Sequence, residues 1–208
     1  MFKVVAIPAD EDGCRFYLEQ YKPLRLASLQ RDAGAFKSTY ARESGFDDEA
    51  WLNRIRNPLA TTFVAIRADS EQVVASASLM GPFPNADANS TGNPHQVVPG
   101  TTDATKDQDR DDDDTRASGE PLRFEMAAVY THPEVRRQGL ATSLIEAATE
   151  EARSQARRTG RPLVLAVVVY VSNDAAISVY ERCGFVRNTD GPGLGSNNSE
   201  LEMYFQAS

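Results

Sequence analysis

Only two cysteines and two histidines occur in the 208 residues. Cys14 and Cys183 stand far apart, and neither has a neighbour at metal-ligand spacing, so a zinc centre is not expected. They read as two small apolar residues of a protein held in a reducing compartment. Long apolar runs are also missing: nothing approaches the ~20 residues of a membrane-spanning helix. The apolar start, Met1 to Ile7, is cut off by Pro8 and the acidic Asp10-Glu11-Asp12, too early for the core of a secretion signal. A cytoplasmic protein without membrane association is expected. Positive charge is in deficit, with 22 Lys and Arg against 30 Asp and Glu and a net charge of −8. Such a chain repels phosphate backbones, which argues against nucleic acid as a partner.

What is present alternates between helical and extended patterns. Phe2 to Ile7 is a short β-branched strand. A helix opens at Asp10-Glu11-Asp12, its acidic residues at the positive end of the peptide dipole, and Pro23 should end or kink it. A second helix is expected over Ala33 to Glu43. A third starts at Asp47-Asp48-Glu49, carries Trp51, Leu52 and Ile55 on one face, and stops before Pro58. Thr61 to Arg67 and Gln72 to Met80 form a hairpin around Ala68-Asp69-Ser70-Glu71.

The stretch from about 83 to 120 differs in kind. It is rich in Asn, Thr, Ser, Gly, Pro and Asp, includes Asp111 to Asp114, and cannot bury enough surface to offset its ordering entropy. It is expected to be a solvated acidic insert in a hairpin loop of one domain spanning 1–208, the alternative being a device that attracts cationic molecules or covers a site.

Leu122 to Thr131 alternates cleanly, with Leu122, Phe124, Met126 and Ala128 on one face and Arg123, Glu125, Ala127 and Val129 on the other. A turn follows, Arg136-Arg137-Gln138-Gly139-Leu140-Ala141. Ala141, Leu144, Ile145, Ala148 and Ala152 then mark one face of a helix. A strand that hands over to a helix this way makes an anion site, because the first amides of the helix lack partners and the dipole is positive there. Gly139 lets a ligand approach the backbone. The turn lacks the third glycine of a dinucleotide fold and the Gly-Lys-Ser/Thr of a nucleotide P-loop. Leu163 to Val171 is apolar and β-branched, as a strand buried on both faces should be. Asn173 caps a helix from Ala175 to Cys183, closed by Gly184. Phe185-Val186 is a short strand, Asp190 to Asn198 a Gly-rich loop, and Leu201 to Phe205 the last strand.

Two blocks resemble one family. Arg136, Gly139 and Ala141 satisfy Gln/Arg-x-x-Gly-x-Gly/Ala. Asn173, Ala176, Tyr180, Gly184 and Phe185 satisfy Asn-x-x-Ala-x-x-x-Tyr-x-x-x-Gly-Phe. In this order and separation they resemble the signatures of the GNAT superfamily of acetyl-CoA-dependent N-acetyltransferases. The likeness covers about Arg123 to Val186 and, more loosely, Leu24 to Trp51.

The resemblance implies an α/β fold with a mixed, V-shaped sheet of six or seven strands and helices on both faces. It implies acetyl-CoA as co-substrate, its pyrophosphate held at Arg136 by amides of Arg137, Gln138, Gly139, Leu140, Ala141 and Thr142. Asn173 would order the last helix or bind the pantetheine arm. Tyr180 is the expected acid for the departing thiolate, and Glu125 the expected base or ammonium-binding carboxylate. The oxyanion would meet an amide of Val129 or Thr131. Trp51, Phe36 and Tyr40 are candidates for the acceptor pocket or the core, and His132 for a relay. A small-molecule amine is the expected acceptor, attacked directly in a ternary complex, with no metal and a monomer or homodimer. Protein lysine or N-terminal acetylation, or a non-catalytic acyl-CoA sensor, are the alternatives.

Overall fold

The computed structural model describes residues 1–83, 119–188 and 199–206. Most of the acidic insert and the Gly-rich loop before the last strand lie outside them.

Seven strands form one sheet in the order β1-β2-β3-β4-β5-β7-β6. They are β1 (Phe2–Ala6), β2 (Ala60–Arg67), β3 (Val73–Phe83), β4 (Leu122–Thr131), β5 (Leu163–Tyr170), β6 (Phe185–Arg187) and β7 (Glu200–Phe205). Only β4 and β5 run parallel; every other neighbouring pair is antiparallel. Parallel neighbours need a crossover, and α5 (Leu140–Thr159) provides it. β3 and β4, on either side of residues 84–121, are adjacent and antiparallel.

Two cores flank the sheet. On one face, α5 lays Leu144, Ile145, Ala148 and Ala152, all fully buried, against Phe124, Met126, Leu165 and Val167. The alanines on this stripe let the helix approach the strands closely. On the other face lie α1 (Glu11–Phe16), α2 (Lys22–Arg31), α3 (Tyr40–Ser44) and α4 (Asp48–Ile55), around Tyr17, Tyr21 and Trp51.

The N-terminal helix differs from expectation at Pro23. The chain stays helical from Glu11 to Arg31, with one π-helical turn at Tyr17–Tyr21 just before the proline. Proline lacks the N–H of an interior helical residue, and the wider turn lets the helix pass that missing bond. The helix expected over Ala33 to Glu43 is not formed as such. A 3₁₀ turn at Ala33–Ala35 and extended backbone at Phe36 precede α3, which starts only at Tyr40 with Thr39 as its cap. Asp47 caps α4 as expected, accepting from the Ala50 amide at 2.8 Å.

The alternation of β4 breaks near its end. Ser76 faces Tyr130 while Ser78 faces Ala127, so β4 carries one extra residue, and Ala128 takes the left-handed φ of 52°. An added residue reverses the faces beyond it. Leu122, Phe124 and Met126 accordingly pack against α5, while Tyr130, of the same parity, belongs to the opposite core.

Candidate active site

Register between β4 and β5 runs from Leu122↔Leu163 to Met126↔Val167 and then stops. Beyond it β4 continues alongside β3, and β5 alongside β7. The V-shaped split expected from the family resemblance is this divergence, and a cleft of about 150 Å³ opens at it.

Glu125 and Tyr180 both line this cleft, from β4 and from α6 (Asp174–Arg182). Burial pushes the Glu125 carboxyl above its ordinary range; Lys37 opposes the shift, and Glu202 and Glu200 add to it. Burial, with a smaller effect of Cys183, raises Tyr180 strongly, so its hydroxyl keeps its proton. The Tyr180 ring is fixed edge-on against Phe185, 5.5 Å between centroids. Asn173 lines the cleft and also caps α6, accepting from the Ala176 amide at 3.1 Å. The two roles weighed for it are compatible in one place.

Backbone donors reach the split as well. The His132 amide donates to Val74 of β3 at 2.8 Å. Successive amides of a strand point to opposite edges, so that of Thr131 turns away from β3, and Val129, beside the extra residue at Ala128, lines the cleft.

The turn lies outside the cleft lining. Gly139 sits at the start of α5 with φ 79°, and Arg137 also has a left-handed φ of 62°. Ser143 donates to Gly139 O at 3.0 Å, opening the helix, and the amides of Leu140, Ala141 and Thr142 precede that first bond. A Cβ built on Gly139 meets nothing within 4 Å, so the turn is open on that side. Arg137, Gln138 and Gly139 are exposed, whereas the Leu140 side chain is buried in the α5 core. The Arg136 guanidinium turns back: Nε donates to Thr131 O at 3.0 Å, and Nη2 to Asp32 Oδ2 at 2.8 Å. It braces the turn against the end of α2; both arginines are exposed, and Arg136 is the one tied down by these bonds.

Other expectations fall differently. β5 is buried on one face only: Leu165, Val167 and Val169 enter the α5 core, while Val168 and Tyr170 line the cleft. The strand has the composition of a two-faced core strand, but its second face lines the cleft. Trp51 is fully buried between Tyr17 and Phe46, and Tyr40 is exposed, so of the three aromatic candidates only Phe36 lines the cleft. His132 contacts Arg31 at 3.3 Å and is not among the lining residues; neither is Cys14 or Cys183.

The lining residues that escaped the sequence reading include Arg25, Lys37, Ser38 and Glu200. Lys37 pairs with Glu200 at 3.1 Å. Arg25 belongs to a buried triad. Its Nε and Nη2 grip both oxygens of Glu43, at 3.1 and 2.9 Å, and Arg54 adds a bond of 2.9 Å to Glu43 Oε2. Burial disfavours the Glu43 charge, but the two guanidiniums outweigh it and hold the carboxyl down at about 2. One signal existed for Arg25. With Tyr21 and Leu29 it falls at i, i+4, i+8, the spacing of an inward-facing stripe.

Residues 26–185 match the acetyltransferase (GNAT) family model. The chain belongs to this family. The GNAT chain is thus an acyltransferase, and its seven-stranded split sheet is the fold expected of it. No curated protein matches it in sequence. Solved structures share the fold at low identity. The PaiA N-acetyltransferase of Thermoplasma acidophilum, in complex with coenzyme A, is 15% identical with a TM-score of 0.57, covering 100% of this chain and 99% of that one. NAA60 of Arabidopsis thaliana, in complex with acetyl-CoA, is 14% identical with a TM-score of 0.56, covering 98% and 96%. An alanine N-acetyltransferase of a ribosomal protein from Escherichia coli is 15% identical with a TM-score of 0.52, covering 100% and 97%.

Among the described residues no helix is long and apolar enough to cross a membrane, and no three His, Cys, Asp or Glu side chains cluster as metal ligands.

Proposed function

We propose that this single-domain protein moves an acetyl group from acetyl-CoA to the primary amine of a small amino compound, by direct attack in a ternary complex. The observation that carries the reading is the cleft at the β4–β5 split, lined by a desolvated carboxylate, Glu125, on one side and a protonated phenol, Tyr180, on the other.

The coenzyme pyrophosphate lies on the amides from Arg137 to Thr142, with the Arg137 charge beside it and Arg136 bracing the turn. The pantetheine arm enters the split past Asn173 and replaces the missing β4–β5 pairing. This brings the thioester between Tyr180 and the amides of Val129 and Thr131.

The acceptor arrives as an ammonium, attracted by Glu125 and Glu200. Glu125 takes one proton, directly or through water, and the free amine attacks the thioester carbon. The oxyanion is held by a Val129 or Thr131 amide. On collapse the carbon–sulfur bond breaks, the nitrogen sheds its second proton, and Tyr180 protonates the thiolate. Amide and free thiol form, and one proton leaves to solvent.

Purified protein incubated with acetyl-CoA and a panel of polyamines, amino acids, aminoglycosides and basic peptides should release thiol with small amino compounds. Tight coenzyme binding with no transfer to any acceptor would instead make it an acyl-CoA sensor, and transfer to peptides alone a protein acetyltransferase.

A further inference from the structure

Two buried polar groups in the cleft wall have no partner. Arg25 is 6% exposed, and its Nη1 makes no hydrogen bond although Nε and Nη2 are fully engaged. The Ser38 hydroxyl is likewise buried and unpaired. Both residues line the cleft, from α2 and from the segment between α2 and α3. Orphaned buried donors cost stability unless something completes them, so two in one wall of a substrate cleft mark where a ligand acceptor group belongs.

Charge specifies the kind of group. Arg25 and Arg54 share the single carboxylate of Glu43, which leaves one buried positive charge. The rings of Phe36, Trp51 and Phe46, 4.8 to 5.0 Å from the two guanidiniums, soften that excess without neutralising it. An anion satisfies both the spare charge and the spare hydrogen bonds; a neutral carbonyl satisfies only the second. Glu200, in the same cleft, is already paired with Lys37 at 3.1 Å, so Glu125 is the lining carboxylate that suits an incoming cation. The coenzyme pyrophosphate has its own turn, outside this lining, so the anion belongs to the acceptor.

We propose that the acceptor is an amine that also bears a carboxylate, an amino acid-type molecule, with the carboxylate on Arg25 Nη1 and Ser38 Oγ and the ammonium toward Glu125. This rests on the acetyl-transfer reading above and names the substrate class within it. Peptide and protein amines, whose nearest carboxyl is already an amide, are disfavoured.

The test compares wild-type kcat/KM for free amino acids, their carboxamides and the corresponding decarboxylated amines, with product masses and calorimetric coenzyme binding recorded alongside. Acids should exceed both analogues by about 100-fold, the size expected when one side of a buried charge pair is removed. Ser38→Ala should shrink the acid-to-carboxamide ratio roughly tenfold. Arg25→Lys, which keeps a charge but loses the fork, should shrink it further; if that variant does not fold, the substrate comparison and Ser38→Ala stand alone. Transfer to carboxamides or amines equal to that for acids overturns the proposal and leaves the transferase reading intact. No transfer to any acceptor, with coenzyme bound, overturns both.

Discussion

Lys37 Nζ lies 3.1 Å from Glu200 Oε2, joining the segment after α2 to the start of β7 at the cleft that holds Glu125. An ammonium on a carboxylate in this cleft is the same chemistry as an incoming amine. It also sets the charge around Glu125, whose carboxyl burial raises, Lys37 lowers, and Glu202 and Glu200 raise. A base works only when deprotonated, so the acid limb of kcat/KM should lie above the ordinary carboxylate range near 4.5. Lys37→Met removes a cation and should move the limb to higher pH. Glu200→Gln and Glu202→Gln remove like charges and should move it lower. A limb that stays in place in all three variants would show that another group titrates.

Replacing the base and the acid should give different kinetic signatures. Glu125→Gln should lower kcat by roughly 10²- to 10⁴-fold and abolish the acid limb. Tyr180→Phe removes a proton donor from a fixed ring and should lower kcat by a smaller factor with little change in the Michaelis constant. Near-wild-type turnover of Glu125→Gln across pH would reduce Glu125 to a substrate-binding carboxylate.

Coenzyme affinity should depend on the turn more than on the fold. Gly139 has a left-handed φ and open space around its missing side chain, so Gly139→Glu brings charge and bulk to the phosphate position. The backbone strain is about 1–2 kcal/mol, too little to unfold the protein. Arg136→Glu places a carboxylate opposite Asp32 and releases Thr131 O. Calorimetry should detect no coenzyme binding by either variant, with circular dichroism unchanged. Retained affinity would move the pyrophosphate elsewhere.

Glu43 ties stability to pH. Its folded value of about 2 against an ordinary 4.5 means that its contribution is complete above 4.5 and is lost as pH falls toward 2. The shift corresponds to something on the order of 3 kcal/mol. Glu43→Gln strands two buried guanidiniums and should cost about 3–5 kcal/mol at neutral pH. In urea titrations the gap between wild type and variant should be widest at pH 7 and close toward pH 2. A constant gap would place the cost in packing rather than charge.

Much of the architecture is legible along the chain because its causes are local. The anion turn needs a glycine and the first amides of a helix, all within Arg136 to Thr142. Asn173 caps within three residues. The alternation of β4 and the apolar face of α5 each record which face is buried. With the two signature blocks, these determined most of the element order and the family, and they mark the turn proposed for the coenzyme.

Other features arise from contacts that no local pattern records. One extra residue at Ala128 reverses the end of β4, and composition is silent about it because alanine fits either face. Phe36 is extended and Lys37 and Ser38 form a bend rather than a helix, because packing of Phe36 on Tyr130 of the sheet outweighs weak propensity. Arg25 meets Glu43 across 18 positions, and Lys37 meets Glu200 from the far end of the chain. Charges that look solvated in sequence become a buried triad and a cleft-lining pair only when folding takes water from them. The anion turn was therefore legible in the sequence, through local backbone chemistry. The charges lining the cleft were decided by tertiary structure, where desolvation brings separated residues together.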